Sequence, residues 1–185
     1  MGGKVILRRI VAHFSLYVLV CFCALSSFAL SSFAQDVEVA FSPYADSLQL
    51  VLSSVNSAKK SIEVAAYSFT SKPISVALLT AYRRGVDVKI VADKKSNSRH
   101  YSAISFLANQ GVPTRLNGKY AILHDKFMVI DHQTVETGSF NFTAAAVNRN
   151  AENVLVLQHA PNLAAQYTRE WERLWAEGED VTKQY

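Results

Sequence analysis

Cysteine is nearly missing from this chain: among 185 residues only Cys21 and Cys23 carry a thiol, and both fall in an apolar leader. Once that leader is removed none remains, which excludes disulfides, a thiolate nucleophile and cysteine-ligated metal. Linkers, internal repeats and low-complexity tracts are missing as well, so the roughly 150 residues after the leader read as one domain. An excess of positive charge is also missing from that domain. The whole chain has a net charge of +4, but Lys4, Arg8 and Arg9 lie in the leader and none of the fifteen acids does. Sixteen basic residues then face fifteen acidic ones, a net of +1, and any attraction to phosphate must come from a local cluster. No evident carboxylate cluster offers to hold a metal. No aromatic-interleaved basic run or recognition helix suggests base readout, and Gln35 to Tyr185 shows no added apolar face or loop for a membrane.

What is present begins with the leader. A basic start, an apolar middle from Ile10 and a small-x-small end at Ser32 to Ala34 describe a signal peptide over residues 1–34. Cleavage falls after Ala34 or, alternatively, after Ala29. An uncleaved anchor is the competing reading, because Ile10 to Ala34 is about long enough to cross a hydrocarbon layer of roughly 30 Å. His13 and the serines at 26, 27, 31 and 32 argue for cleavage. Neither cysteine follows the small residue that a lipoprotein signal needs. The domain is therefore 35–185.

Within it, strands alternate with helices. Strands are predicted at Asp36 to Phe41, Ser61 to Phe69, Val86 to Ala92, Pro113 to Leu116 and Glu152 to Gln158. Helices are predicted after Asp46, from Pro73 to Gly85, over Tyr101 to Asn109 and over Pro161 to Ala176, with a polar loop at Asp93 to His100. Trp171, Leu174 and Trp175 read as core or interface packing. The pattern argues an α/β sandwich whose sheet is mixed, mostly parallel, and flanked by helices on both faces.

The chemistry concentrates between His124 and Phe142. Read as a strand, this stretch puts Ile122, His124 and Lys126 on one face and Leu123, Asp125, Phe127 and Val129 on the other. A turn at Asp131 to Gln133 and a second strand at Thr134 to Thr137 lead to Gly138, Ser139, Asn141 and a helix-prone Thr143 to Ala146. A hydroxyl and a carboxamide at a helix start, near an imidazole and an ammonium, read as a phosphate site. Ser139 and Asn141 are expected both to cap that helix and to bind phosphate. Hydrolysis of a phosphodiester requires neutralised oxygens, a nucleophile better than water and a proton for the leaving oxygen. Lys126, Ser139 and Asn141 supply a cation and two donors, so a metal-independent route through a phosphohistidine on His124 is open. No cofactor is called for.

These residues resemble the phospholipase D superfamily signature H-x-K-x4-D followed by G-S-x-N. His124, Lys126 and Asp131, then Gly138, Ser139 and Asn141, match it at the family spacing. The chain carries the signature once and looks most like the small single-motif bacterial nucleases of the periplasm. The resemblance implies a phospholipase D-like fold and a secreted or periplasmic endonuclease hydrolysing DNA, and by extension RNA, with little sequence preference. One histidine cannot readily attack phosphorus and also protonate the oxygen leaving on the opposite side. Two-motif members of the family set two histidines face to face, so a single motif implies a homodimer with a shared site and activity that falls on both sides of a pH optimum.

Glu152 matches the glutamate that orients the histidine in those nucleases. Asp131 falls on the opposite strand face from His124 and is assigned a structural role, as is Gly138. Lys94, Lys95, Arg99, Arg115 and Lys119 bracket the motif and read as nucleic-acid contacts or as solvated surface. His100, His132 and His159 read as surface histidines. The alternatives are a membrane-tethered phospholipase D acting on headgroups such as cardiolipin, and a non-catalytic nucleic-acid-binding protein. After cleavage no stable membrane association is expected.

Overall fold

Strand and helix alternate along the chain as the periodicity predicts, and the boundaries have local causes. The computed structural model describes residues 36–44, 46–98 and 102–183; the expected leader, Arg99 and His100 lie outside the described residues. In order the elements are β1 (Val37–Ser42), α1 (Ser47–Ser57), β2 (Ser61–Ala66), α2 (Lys72–Arg83), β3 (Asp87–Asp93), α3 (Lys94–Asn97), α4 (Ala103–Asn109), β4 (Thr114–Asn117), β5 (Lys126–Ile130), β6 (Thr134–Gly138), α5 (Ala144–Asn148), β7 (Glu152–Leu157), α6 (Pro161–Ala176) and β8 (Glu179–Asp180). The Ser71 side chain caps α2 at the Ile74 N–H, and Pro73 sits in its first turn, where a missing N–H costs nothing. Gly85, at φ 91°, ends that helix in a conformation glycine adopts freely. Among the described residues no helix is long and apolar enough to cross a membrane.

One eight-stranded sheet runs in the order β1-β7-β6-β5-β2-β3-β4-β8. It is mixed, as expected, but not mostly parallel: β2–β3 and β3–β4 pair parallel, and the other five pairings are antiparallel. Connection length explains the correction. Parallel neighbours need a long crossover, which α2 supplies between β2 and β3 and the α3–α4 segment between β3 and β4. By contrast, β5 and β6 are joined by the tight turn 131–133 and can pair only antiparallel; β5 beside β2 and β7 beside both β6 and β1 follow from the sheet order. Two further boundaries differ from the periodicity. β2 ends at Ala66, leaving Phe69 in a single bridge to Phe142, and the Asp93 to His100 stretch contains the short helix α3.

Both faces of the sheet are covered. On one, Ile62, Val64, Ile90, Met128 and Val154 pack against Val51 and Val55 of α1, Ile74 and Leu78 of α2 and Leu107 of α4. On the other, Ala65, Val91, Phe127, Val129 and Val135 pack against Trp171 and Leu174 of α6. Trp171 is core, as its helical spacing predicts, and its indole N–H donates to the Val64 carbonyl at 2.9 Å. That bond satisfies the one polar group of a side chain whose remainder belongs out of water.

Asp131, the first residue of the turn after β5, ties two strands together. Its carboxylate accepts from the backbone N–H groups of Lys59, Lys60 and Ser61 at 2.9, 2.6 and 2.9 Å, tying the end of β5 to the start of β2. Burial works against its ionisation, but the three donors outweigh it and hold the carboxyl below the usual aspartate range. A depressed folded value gives stability above the unfolded pKa of about 3.9 that is lost as pH falls through the folded one. Asp131→Asn should therefore cost about 1–2 kcal/mol at neutral pH, screening by solvent included, and almost nothing in strong acid. Urea unfolding at the two pH values measures the difference.

Candidate active site

The strand ladder of β5 begins at Lys126, so His124 sits in the segment just before it. The alternation predicted for the whole stretch therefore holds only from Lys126 onward. Three contacts fix the approach to the strand. The Leu123 N–H donates to the buried Asp93 carboxylate at 2.8 Å, Lys95 Nζ donates to the Ala121 carbonyl at 3.0 Å, and Lys126 Nζ donates to the His124 carbonyl. Antiparallel pairing of β5 with β6 sets Phe127 opposite Thr137, and β6 with β7 sets Gly138 opposite Val154. The signature residues thus meet at one end of the sheet.

There a cleft of about 690 Å³ is lined by His124, Lys126, Gly138, Ser139, Asn141 and Glu152, with Asp125 and, from α6, Gln166, Tyr167 and Glu170. Asp131, assigned a structural role, lies outside this cleft, bonded to the amides of Lys59, Lys60 and Ser61 at the start of β2. The Ser139 hydroxyl donates to Glu152 Oε2 at 2.6 Å and accepts from the Asn153 N–H at 3.1 Å, while Asn150 Nδ2 donates to Glu152 Oε1 at 2.9 Å. Glu152 is thereby held beside Ser139; among the described hydrogen bonds none joins it to the His124 ring. Ser139 and Asn141 do not cap the next helix. Thr143 does, its side chain accepting from the Ala146 N–H at 3.1 Å, because Phe142 first bridges to Phe69 and leaves Thr143 as the residue directly before α5.

Lys126 is only 7% exposed. Burial pulls its ammonium below the usual lysine range, and the nearby carboxylates of Asp125 and Glu152 oppose that shift. Asp125 moves the other way: burial and then Glu170 push it up, against Lys126, Arg173 and His124. The cleft therefore mixes an ammonium and an imidazole with three carboxylates. Among the described residues no group of three or more His, Cys, Asp or Glu is arranged to hold a metal ion.

Gly138 is required by a close approach. A Cβ there would stand 2.1 Å from the Asn153 carbonyl oxygen, a backbone atom that cannot swing aside. Gly138→Ala should thus destabilise by about 3 kcal/mol or more and displace Ser139 from Glu152; thermal unfolding checks the first part.

Of the basic residues read as nucleic-acid contacts, Lys94, Lys95, Arg115 and Lys119 do not line the cleft, and Arg99 lies outside the described residues. Lys94 pairs with Glu179 at 2.7 Å, Arg115 with Asp180 at 2.7 Å and Lys119 with Glu177 at 2.6 Å, and Arg115 also lies over the Trp175 ring. These pairs dock the C-terminal residues against β4 and the segment before β5. Sequence reasoning missed Asp125, Gln166, Tyr167 and Glu170. The i, i+4 spacing of Gln166 and Glu170 on α6 was the available signal, since it places both on one polar edge. It also missed Tyr67, which follows β2 and touches both His124 and Lys126. The ring centroids of Tyr67 and His124 are 4.7 Å apart, and Lys126 Nζ is 5.1 Å from the Tyr67 centroid.

Comparison with known proteins agrees with this geometry. A family described as "Cardiolipin synthase, PLD-like domain" matches residues 51–175. A protein named phospholipase D from Rickettsia bellii is 36% identical over 135 residues, covering 73% of this chain and 67% of that protein. A mitochondrial cardiolipin hydrolase from Xenopus laevis is 34% identical over 141 residues, covering 76% and 67%. Among solved structures, the phospholipase D family member Nuc from Salmonella typhimurium superposes with a TM-score of 0.78 at 44% identity, covering 80% of this chain and 99% of Nuc. NucT from Helicobacter pylori shares the fold, with a TM-score of 0.72 at 24% identity over 80% and 99% of the two chains. With the signature side chains gathered in one cleft and a family match across most of its length, the chain belongs to the phospholipase D superfamily of phosphodiesterases.

Proposed function

We propose that this protein is a metal-independent endonuclease of low sequence preference, working through a phosphohistidine in a site shared by two copies of the chain. The observation that carries the reading is the single cleft in which His124 and Lys126 face Ser139, Asn141 and Glu152. Likeness to Nuc along nearly all of that chain supports it.

In the first step a His124 ring nitrogen attacks phosphorus, a P–N bond forms and the P–O bond to the leaving nucleoside breaks. The departing oxygen takes a proton from His124 of the partner subunit. In the second step the partner's histidine, now neutral, removes a proton from water, which attacks phosphorus and breaks the P–N bond. Lys126 and the Asn141 amide offset the charge on the equatorial oxygens. Glu152 is the carboxylate assigned to accept the other ring N–H of His124 and fix its tautomer. A second copy has a surface to cover: Val37, Val39 and Phe41 of the edge strand β1 are each more than half exposed, and Phe41 pairs with Asn153 beside the cleft. The protein acts in the periplasm or outside the cell once its leader is removed.

A second reading, hydrolysis of phospholipid headgroups, is favoured by the names of the relatives, phospholipase D and mitochondrial cardiolipin hydrolase. One experiment separates the two. The protein is incubated in EDTA with supercoiled plasmid, with single-stranded DNA and with cardiolipin-containing vesicles. Nicking and degradation that survive chelation support the nuclease. Headgroup release with intact DNA overturns it in favour of the lipase, and activity restored only by added metal overturns the covalent-histidine route.

A further inference from the structure

Tyr67 lies outside the signature, and the reaction as written gives it no task. Its position is nonetheless fixed from two directions. Ala66 pairs with Ala92 on β3 and with Lys126 on β5, so the residue after β2 emerges beside both the end of β3 and the segment carrying His124. Asp93 ends β3 and Asn97 ends the one-turn helix α3 that follows it, each only 2% exposed. The Asn97 amide donates to the Tyr67 carbonyl at 2.6 Å and accepts from the Phe69 N–H at 3.0 Å, which holds the loop after β2. Its Nδ2 also donates to the Asp93 carbonyl at 2.9 Å, while the Asp93 carboxylate accepts from the Leu123 N–H, which holds the segment before β5. Two buried polar side chains thus lock the Tyr67 loop and the His124 loop to one strand end. A buried, satisfied network of this kind specifies position more than it adds stability.

We propose that Tyr67 is a positioning residue for the His124–Lys126 pair. Its ring faces the imidazole at 4.7 Å, tilted 56°, and lies 5.1 Å from the Lys126 ammonium. An aromatic face within about 6 Å attracts a cation and resists rotation of a neighbouring ring. His124 is otherwise exposed, and no described hydrogen bond holds its ring, so within one copy of the chain the Tyr67 face is the contact that limits rotation of the ring, and the Glu152 carboxylate is left to select the tautomer. The same face compensates Lys126 for a burial that disfavours its charge. The ring face carries both effects, and the phenol oxygen is not needed for either.

The proposal rests on the reading of His124 as nucleophile, and its test separates the two. Turnover of bis(p-nitrophenyl) phosphate is measured for Tyr67→Phe, Tyr67→Leu and His124→Asn, and the ring protons of His124, assigned by their loss in His124→Asn, are followed by NMR. The phenylalanine variant should keep kcat within about twofold, and the leucine variant should lose about tenfold in kcat with KM nearly unchanged, because orientation rather than binding is lost. The His124 ring protons should carry a ring-current shift in the parent and in the phenylalanine variant, and lose it with leucine. Equal kcat for leucine and phenylalanine, or His124 resonances unmoved by leucine, overturns the positioning role while His124→Asn still abolishes turnover. Turnover that persists in His124→Asn overturns the nucleophile, and the catalytic role of Tyr67 with it.

Discussion

His124→Asn should lower turnover by at least about 10³-fold while leaving the fold intact, because it removes nucleophile and general acid together. The residue is exposed at the mouth of the cleft, and its ring takes part in no described hydrogen bond that the fold depends on. Dilution of the parent with this variant gives a sharper result. When equal amounts are unfolded together and allowed to reassociate at random, about one dimer in four holds two parental histidines. A shared site needing both should then show about a quarter of the parental activity, whereas two independent sites would show about half. The mixed dimers also separate the two steps. With a p-nitrophenyl ester, whose leaving group needs no protonation, they should release one equivalent of nitrophenolate and stop, since no neutral second histidine remains to activate water. A mixture at half activity with no such burst would remove the need for a partner subunit.

How much of this could be read from the sequence varies with the range of the interaction involved. The signature is local: Lys126, Gly138, Ser139 and Asn141 are brought together by a hairpin whose turn and second strand fall where the alternation puts them, while His124 stands just before the first strand, which begins only at Lys126. Glu152 joins them from the next strand in the chain, so family spacing and strand order both point to it. Tyr67 and Glu170 reach the site from β2 and α6, and no local pattern distinguishes a site tyrosine from a core one. The strand directions were misjudged for a related reason. Alternating strands and helices suggest parallel crossovers, but β5 lies beside β2 and runs against it, a pairing that depends on the whole sheet order. The basic residues show the same limit, since counting lysines and arginines could not reveal that Glu177, Glu179 and Asp180 would take up Lys119, Lys94 and Arg115.

Glu136→Gln should stabilise the protein in mild alkali, by an amount that grows with pH. Glu136 lies on β6 between Met128 and Val156, only 1% exposed, and its Oε2 has no hydrogen-bond partner among the described residues. Burial pushes its carboxyl up to about 8, so the group is neutral at neutral pH. The folded value lies above the unfolded one of about 4.3, so the unfolded chain binds fewer protons between them. The cost of holding the proton then rises from about pH 4.3 and levels off above the folded value. Between pH 6 and pH 9 the parent should lose at most about 3 kcal/mol from this group, and the glutamine variant should lose none of that share. Urea unfolding at the two pH values measures it, and parallel losses in the two proteins would mean that the carboxyl is already ionised in the fold. The consequence reaches the site, because Glu136 precedes Gly138 by two residues on the strand that delivers Ser139. An alkaline fall in activity therefore has two possible sources, loss of the proton from the acid histidine and charging of Glu136 within the core. If the glutamine variant extends the active range upward, the second source sets the parent's alkaline limit; if the two profiles coincide, the histidine does.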